Sequence, residues 1–308
     1  MIHGHFLFWV IFSALVAVMF YIDLYVTDHR KDKIGIRSSL IWSGIWIITA
    51  LFFNLLIYFF LEDGHQKALE FLAGYLIEKS LSVDNLFVFL MIFNVMNIKD
   101  VHQPHILKWG ILSAIIMRII FILAGVALIK LFHPIIYIFG ILLFYAAYKM
   151  AFQKEEKIDY EKNPAIKFIT KKFRILTQYE GGKFFVKKNG KIFLTPLFLT
   201  LILIESSDIV FAIDSIPAVI AITRDPFIII TSNIFAILGL RALYFALAGI
   251  VDLFIYLKYG VAIILAYVGV KMLISDFFPI PVAISLLFII TCLAISIILS
   301  LIKRKHSA

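Results

Sequence analysis

The chain holds a single cysteine, Cys292, in its last apolar run. That excludes a disulfide framework within one chain and any metal site built from several thiolates. Charge is scarce as well: 16% of residues are Asp, Glu, Lys or Arg, against about 25% in soluble domains. With 62% hydrophobic residues over 308 positions, a water-soluble globule is excluded. Met1–His5 contains no Lys or Arg, and no small-x-small cleavage site follows the apolar run behind it, so a cleaved secretory leader is not expected. A retained first spanning helix is. The net charge of +9 raises nucleic acid as a partner, but the placement of the charges argues against it.

Apolar runs near 20 residues, enough to cross about 30 Å of hydrocarbon, recur nine times: 5–26, 38–61, 67–97, 106–129, 134–151, 195–222, 228–256, 260–278 and 281–302. The expected fold class is therefore an all-α, polytopic membrane bundle of nine transmembrane helices. Basic residues orient it. With the N-terminus outside, the inner segments hold Arg30, Lys31, Lys33, Arg37, Lys99, Lys108, twelve Lys/Arg from Lys149 to Lys191, Lys258 and Lys303–Lys305. The outer ends hold only Lys67, Lys130, Arg224 and Lys271. A split of 22 against four predicts N-out and C-in, and it makes the positive charge a topology signal. The expected surroundings are membrane lipid, with no nucleic acid.

The organisation predicted is two helices (1–66), a first three-helix unit (67–151), a cytoplasmic loop (152–194), a second three-helix unit (195–280), and a last helix with a basic tail (281–308). In the loop, Asn163-Pro164 opens a basic amphipathic helix suited to the inner leaflet. Asn189-Gly190 between two apolar-basic runs predicts a hairpin.

The chemistry concentrates in two stretches. One is Glu205-Ser-Ser-Asp208-Ile-Val-Phe-Ala-Ile-Asp214-Ser-Ile-Pro217; the other is Glu78-Lys79-Ser80-Leu-Ser82-Val-Asp84-Asn85. Each ionised Asp at the centre of a spanning helix costs about 2.5–3.5 kcal/mol, so something must offset them, and a cation is the simplest candidate. The stretches are also related. Ser82-Val-Asp84-Asn-Leu-Phe87 matches Ser206-Ser-Asp208-Ile-Val-Phe211, Leu123-Ala-Gly125 matches Leu247-Ala-Gly249, and Tyr145…Lys149-Met150 matches Tyr267…Lys271-Met272, at offsets of 124, 124 and 122. Arg118 and Arg241 fall at 123. A repeat of three spans inverts its second copy, which is the pattern of secondary transporters with midplane ion sites.

Glu78, Asp84, Glu205, Asp208 and Asp214 are the expected metal ligands. Ser82, Asn85, Ser206 and Ser207 stand as supporting donors, and so does the carbonyl of Ile213, which Pro217 cannot bond. Carboxylate, hydroxyl, amide and carbonyl oxygens suit a hard divalent ion such as Mn²⁺, Mg²⁺ or Ca²⁺. Arg118 and Arg241 are expected as structural partners of the acids, Asp23 as an interfacial residue, and Asn54 and Asn233 as interhelical hydrogen-bonders.

Glu78-Lys-Ser-Leu-Ser-Val-Asp-Asn-Leu-Phe-Val-Phe and Glu205-Ser-Ser-Asp-Ile-Val-Phe-Ala-Ile-Asp-Ser-Ile-Pro-Ala resemble the two signature segments of the TerC family, named for tellurium resistance. Thr231-Ser-Asn-Ile-Phe-Ala-Ile-Leu-Gly-Leu-Arg-Ala and Phe185-Val-Lys-Lys-Asn-Gly resemble its Alx branch. The resemblance covers nearly the whole chain. It implies an inner-membrane exporter of divalent manganese, related to the lysine-exporter (LysE) superfamily and its three-span inverted repeats. It places the family's acidic positions on Glu78, Asp84, Glu205, Asp208 and Asp214.

The expected function is Mn²⁺ efflux by alternating access, with Mn²⁺ as transported ion, Mg²⁺ and Ca²⁺ as lesser candidates, and protons as the expected driving ion. The alternative is a membrane scaffold or metal-delivery factor for secreted metalloproteins, separable by transport in a purified system. An intramembrane aspartyl hydrolase is disfavoured, because neither Asp84 nor Asp208 follows Gly-x-Gly. No enzyme activity is expected, and the sequence carries no oligomer signal.

Overall fold

The computed structural model describes residues 2–23, 36–132, 134–152, 164–176, 181–188, 190–248, 256–278 and 280–307. Eleven α-helices appear among them: α1 (Ile2–Tyr21), α2 (Ile36–Phe60), α3 (Gly64–Val95), α4 (Gln103–Leu131), α5 (Ile135–Phe152), α6 (Pro164–Lys172), α7 (Pro196–Ile220), α8 (Pro226–Ile237), α9 (Leu240–Ala248), α10 (Leu257–Ile274) and α11 (Val282–Ser307). A short 3₁₀ turn, Asp100–His102, precedes α4.

The chain is a polytopic helical membrane protein. Seven helical segments among the described residues are long and apolar enough to cross a bilayer, with α8 and α9 together making one of them. Two of the nine expected runs fall short on that measure. The apolar part of α1, Phe6–Tyr21, is short. The helix α3 is long, at 32 residues, but carries Lys67, Glu70, Glu78, Lys79 and Asp84.

Helix starts follow local chemistry. Proline stands in the first turn of α4, α7 and α8, where a missing N–H costs nothing. The Asp225 carboxylate caps α8 by accepting from Phe227 N at 2.9 Å.

The core is built around α8. Every residue from Phe227 to Ile237 is buried, whereas α2, α5 and α11 leave most of their surface outward, as lipid-facing helices should. Aromatic rings fix α8 in place: Phe235 meets Phe53 of α2, Phe71 of α3 and Phe12 of α1, while Phe227 meets Phe8 and Trp9. The helices α5 and α10 pack face to face through glycines. A Cβ on Gly140 would lie 3.2 Å from the Gly269 carbonyl oxygen, and one on Gly269 would lie 3.0 Å from that of Gly140.

The run expected over 228–256 counts as one span but is built of two helices. Between α8 and α9, Leu238 is extended and Gly239 has φ +82°. A side chain at 239 would meet Trp46 Cδ1 at 2.3 Å, so only glycine fits both the backbone and the space. Helix α7 runs through Pro217 to Ile220, so the Ile213 carbonyl that Pro217 cannot bond stands inside a continuous helix.

The loop before α7 adds a small three-stranded sheet to an otherwise helical chain, in the order β1-β3-β2, from β1 (Arg174–Ile175), β2 (Phe185–Lys188) and β3 (Lys191–Leu194). The expected hairpin is present: β2 and β3 pair antiparallel, Lys188 opposite Lys191. Gly190 takes φ +75° in its turn, and Asn189 lies outside the described residues. The hairpin rests on the bundle where Phe184 stacks on His105 of α4 and Phe185 contacts Phe198 of α7.

Candidate metal site

Four helices converge on one guanidinium. Arg118 of α4 is 1% exposed, a depth at which an arginine needs acids or carbonyls around it. Its Nη1 donates to Glu78 Oε1 of α3, to Ser215 Oγ of α7 (3.2 Å) and to Asn233 Oδ1 of α8 (3.3 Å). Its Nη2 donates to Asp208 Oδ1 of α7 at 3.3 Å. Ser82 Oγ, one turn beyond Glu78, donates to the same Glu78 Oε1 at 3.3 Å. Glu78 is fully buried and Asp208 nearly so, so these are charges held by one another rather than by water.

The pairing is incomplete. Nη1 has two hydrogens and faces three acceptors, while among the described residues Arg118 Nε has no acceptor and Glu78 Oε2 no donor. A bidentate arginine–carboxylate bridge would use these atoms. Next to the cluster lies a pocket lined by Asp208 and Ile204, by Asn85 and Phe89 of α3, by Leu107 and Gly110 of α4, and by Ile237 and Leu240 on either side of the Gly239 break. It lies toward the end of the bundle that carries the hairpin, since α4 and α7 both begin there.

Glu205 sits one turn before Asp208 on the α4-facing side of α7, where its Oε1 accepts from Ser113 Oγ of α4. Ser113 carried no sequence signal beyond being a hydroxyl in an apolar run. Ser206 and Ser207 bond back to their own helix, at Ile202 O and Leu203 O, and do not join the cluster. The side chains of Asp84 and Asp214 lie outside the described residues, although both positions are helical. Among the described residues no three of His, Cys, Asp and Glu form a ready metal cage.

The second arginine is used differently. Arg241 Nε of α9 pairs with Asp23 Oδ2 at 3.3 Å, and both residues are buried. Asp23, expected as an interfacial residue close to Arg30 and Lys31, thus has an ion pair with α9. Asn233 makes the expected interhelical bond, whereas the buried Oδ1 of Asn54 has no donor among the described residues.

The break at Gly239 also explains Lys79. The last carbonyls of a helix have no partner within it, and those of α8 end inside the protein. Lys79 Nζ donates to Ala236 O at 3.1 Å, a cation at the negative end of a helix dipole. Lys79→Met is expected to leave that carbonyl unsatisfied and to cost about 1–3 kcal/mol, read as a lower melting temperature of the purified protein.

A family model described as "Integral membrane protein TerC family" matches residues 63–308, which takes in every residue of the cluster. The chain belongs to the TerC family. Its TerC-family relatives align over nearly their whole length. It is 43% identical over 301 residues to a Salmonella typhi protein named "Putative membrane-bound redox modulator Alx", covering 96% of this chain and 94% of that one. The Escherichia coli K12 protein of the same name is 44% identical over 287 residues, 91% of this chain and 89% of its own. A Myxococcus xanthus "Uncharacterized membrane protein STKORF319" is 43% identical over 299 residues, 97% and 93% of the two chains. No solved structure matches. This TerC protein is thus a multi-pass integral membrane protein of the bacterial inner membrane.

Proposed function

We propose that this TerC-family protein exports a hard divalent cation, manganese first, by alternating access of two three-helix halves. The observation that carries the proposal is the meeting of Glu78, from the first half, and Asp208, from the second, around a single cation-holding point in the buried centre. Oxygen donors of this kind suit Mn²⁺, Mg²⁺ or Ca²⁺, with Glu78, Asp208 and Glu205 as first ligands and Asn85 at the pocket wall. Asp84 and Asp214 are proposed to complete the set.

The inverted repeat is supported by how the halves pack. The first helix of one half lies on the second of the other in both directions: α3 on α8, and α7 on α4. Like helices also pair, α3 with α7 and α5 with α10. A two-fold relation between 67–151 and 195–280 would generate this pattern. Nine spans, N-out and C-in, follow in this reading when α1 and α3 are counted as crossing. The pocket beside Asp208 then faces the cytoplasm and is the way in for the ion. Protons are the proposed driving ion, and no enzymatic step is involved.

The relatives' printed name speaks of redox modulation. One cysteine gives no dithiol within this chain, so we read any redox effect as following from the metal ions moved.

The test is total manganese in a bacterial strain lacking its own exporter and loaded with Mn²⁺. Wild type is expected to lower it several-fold, while Asp208→Asn, present at equal level in the membrane, should match the empty vector. Full export by Asp208→Asn would remove the central site from the mechanism.

A further inference from the structure

We infer that Arg118 is a tethered stand-in for the transported ion: it occupies the carboxylates in the ion-free state and must yield Asp208 when a divalent cation binds. The inference rests on the cation-export reading above and concerns how that same site is held between ions.

A guanidinium lodged between Glu78 Oε1 and Asp208 Oδ1 and a divalent ion bridging the same two oxygens would compete for one space and repel each other. Arg118 reaches Glu78 Oε1 and Asp208 Oδ1 from one guanidinium, so it stands where an ion bridging the two halves would stand. It also has somewhere to go. Ser215 Oγ and Asn233 Oδ1 are neutral acceptors already within 3.3 Å of Nη1. Both can keep holding the guanidinium after Asp208 is released. A permanent structural bridge would satisfy its own atoms, yet Arg118 Nε and Glu78 Oε2 are buried and have no hydrogen-bond partner among the described residues. Glu78 Oε2 is an acid oxygen on a fully buried residue, with no donor among the described residues, and its helix α3 also lines the pocket through Asn85 and Phe89. A cation arriving at Asp208 would find this oxygen ready.

Two consequences follow for an exporter. The empty site is never left as bare buried carboxylates, so the halves can return without an ion between them. Competition from a covalently attached cation also weakens ion binding, which favours release on the far side over retention.

The experiment is Mn²⁺ binding to the purified full chain in lipid nanodiscs, with free Mn²⁺ followed by electron paramagnetic resonance. Alongside it runs the rise in melting temperature that Mn²⁺ produces. Arg118→Gln is expected to bind Mn²⁺ at least tenfold tighter than wild type and to gain more in melting temperature, while exporting less. A merely structural arginine predicts the reverse, with binding equal to or weaker than wild type, and that result overturns the inference. If Arg118→Gln does not fold, Arg118→Lys decides, since a single-point cation on a shorter reach competes less. It should bind tighter than wild type by a smaller factor, and equal or weaker binding again overturns the inference. Wild type that binds and exports Mn²⁺, with no tightening in either variant, sinks this inference alone. No Mn²⁺ bound by any of the three sinks the export reading and the inference with it.

Discussion

Replacing Glu78 with leucine is expected to lower the stability of the folded protein by about 3–5 kcal/mol, the usual cost of stranding one partner of a buried ion pair. The reason lies in the surroundings of Arg118. Its guanidinium is 1% exposed, and Glu78 is one of two acids that hold it. With Glu78 gone, Nη1 keeps only Ser215 and Asn233, both neutral. The double variant Glu78→Leu with Arg118→Met should recover much of the loss, because apolar side chains of similar volume often replace a buried pair without penalty. Thermal melting of the two single variants and the double variant in one detergent gives the coupling directly. Recovery of stability without recovery of manganese export would separate what the pair does for the fold from what it does for the ion.

Gly239→Ala is the second large effect. A non-glycine residue in the left-handed region costs about 1–2 kcal/mol, and forcing a carbon into filled space adds about 1–3 kcal/mol. Here the filled space is the buried indole of Trp46, 2.3 Å from where the Cβ would stand. A loss of about 2–5 kcal/mol is therefore expected, seen as less protein in the membrane and a lower melting temperature. Gly44, also on α2, has nothing within 4 Å of its would-be Cβ, so Gly44→Ala should leave both unchanged. Equal behaviour of the two variants would mean that the break between α8 and α9 is not held by Trp46.

Much of the site was legible because charge is so rare in this chain. Glu78, Glu205 and Asp208 stand out from apolar runs, and the offset near 124 links the two stretches without any structure. What could not be read was who meets whom. Arg118 and Arg241 are matched in sequence, yet Arg118 gathers acids from both halves while Arg241 pairs with Asp23 at the end of α1. That difference depends on which element lies beside each arginine in the bundle, and no local spacing encodes it. The break at Gly239 is hard to read for a related reason. Pro217 is the stronger breaker on paper, yet it lies in the last turn of α7 and the helix runs through it. Gly239 looked like one glycine in an apolar run, and its meaning appears only once Trp46 is set against it. Lys79 follows from that break: with α8 ending inside the bundle, the lysine next to Glu78 in sequence acquires a carbonyl to hold.

The most direct test of the central claim is Mn²⁺ flux in proteoliposomes containing only this protein, wild type beside Asp208→Asn. Ion movement by wild type that Asp208→Asn loses, at equal protein per vesicle, is the predicted result. No flux from folded wild type, or unchanged flux in Asp208→Asn, would contradict it.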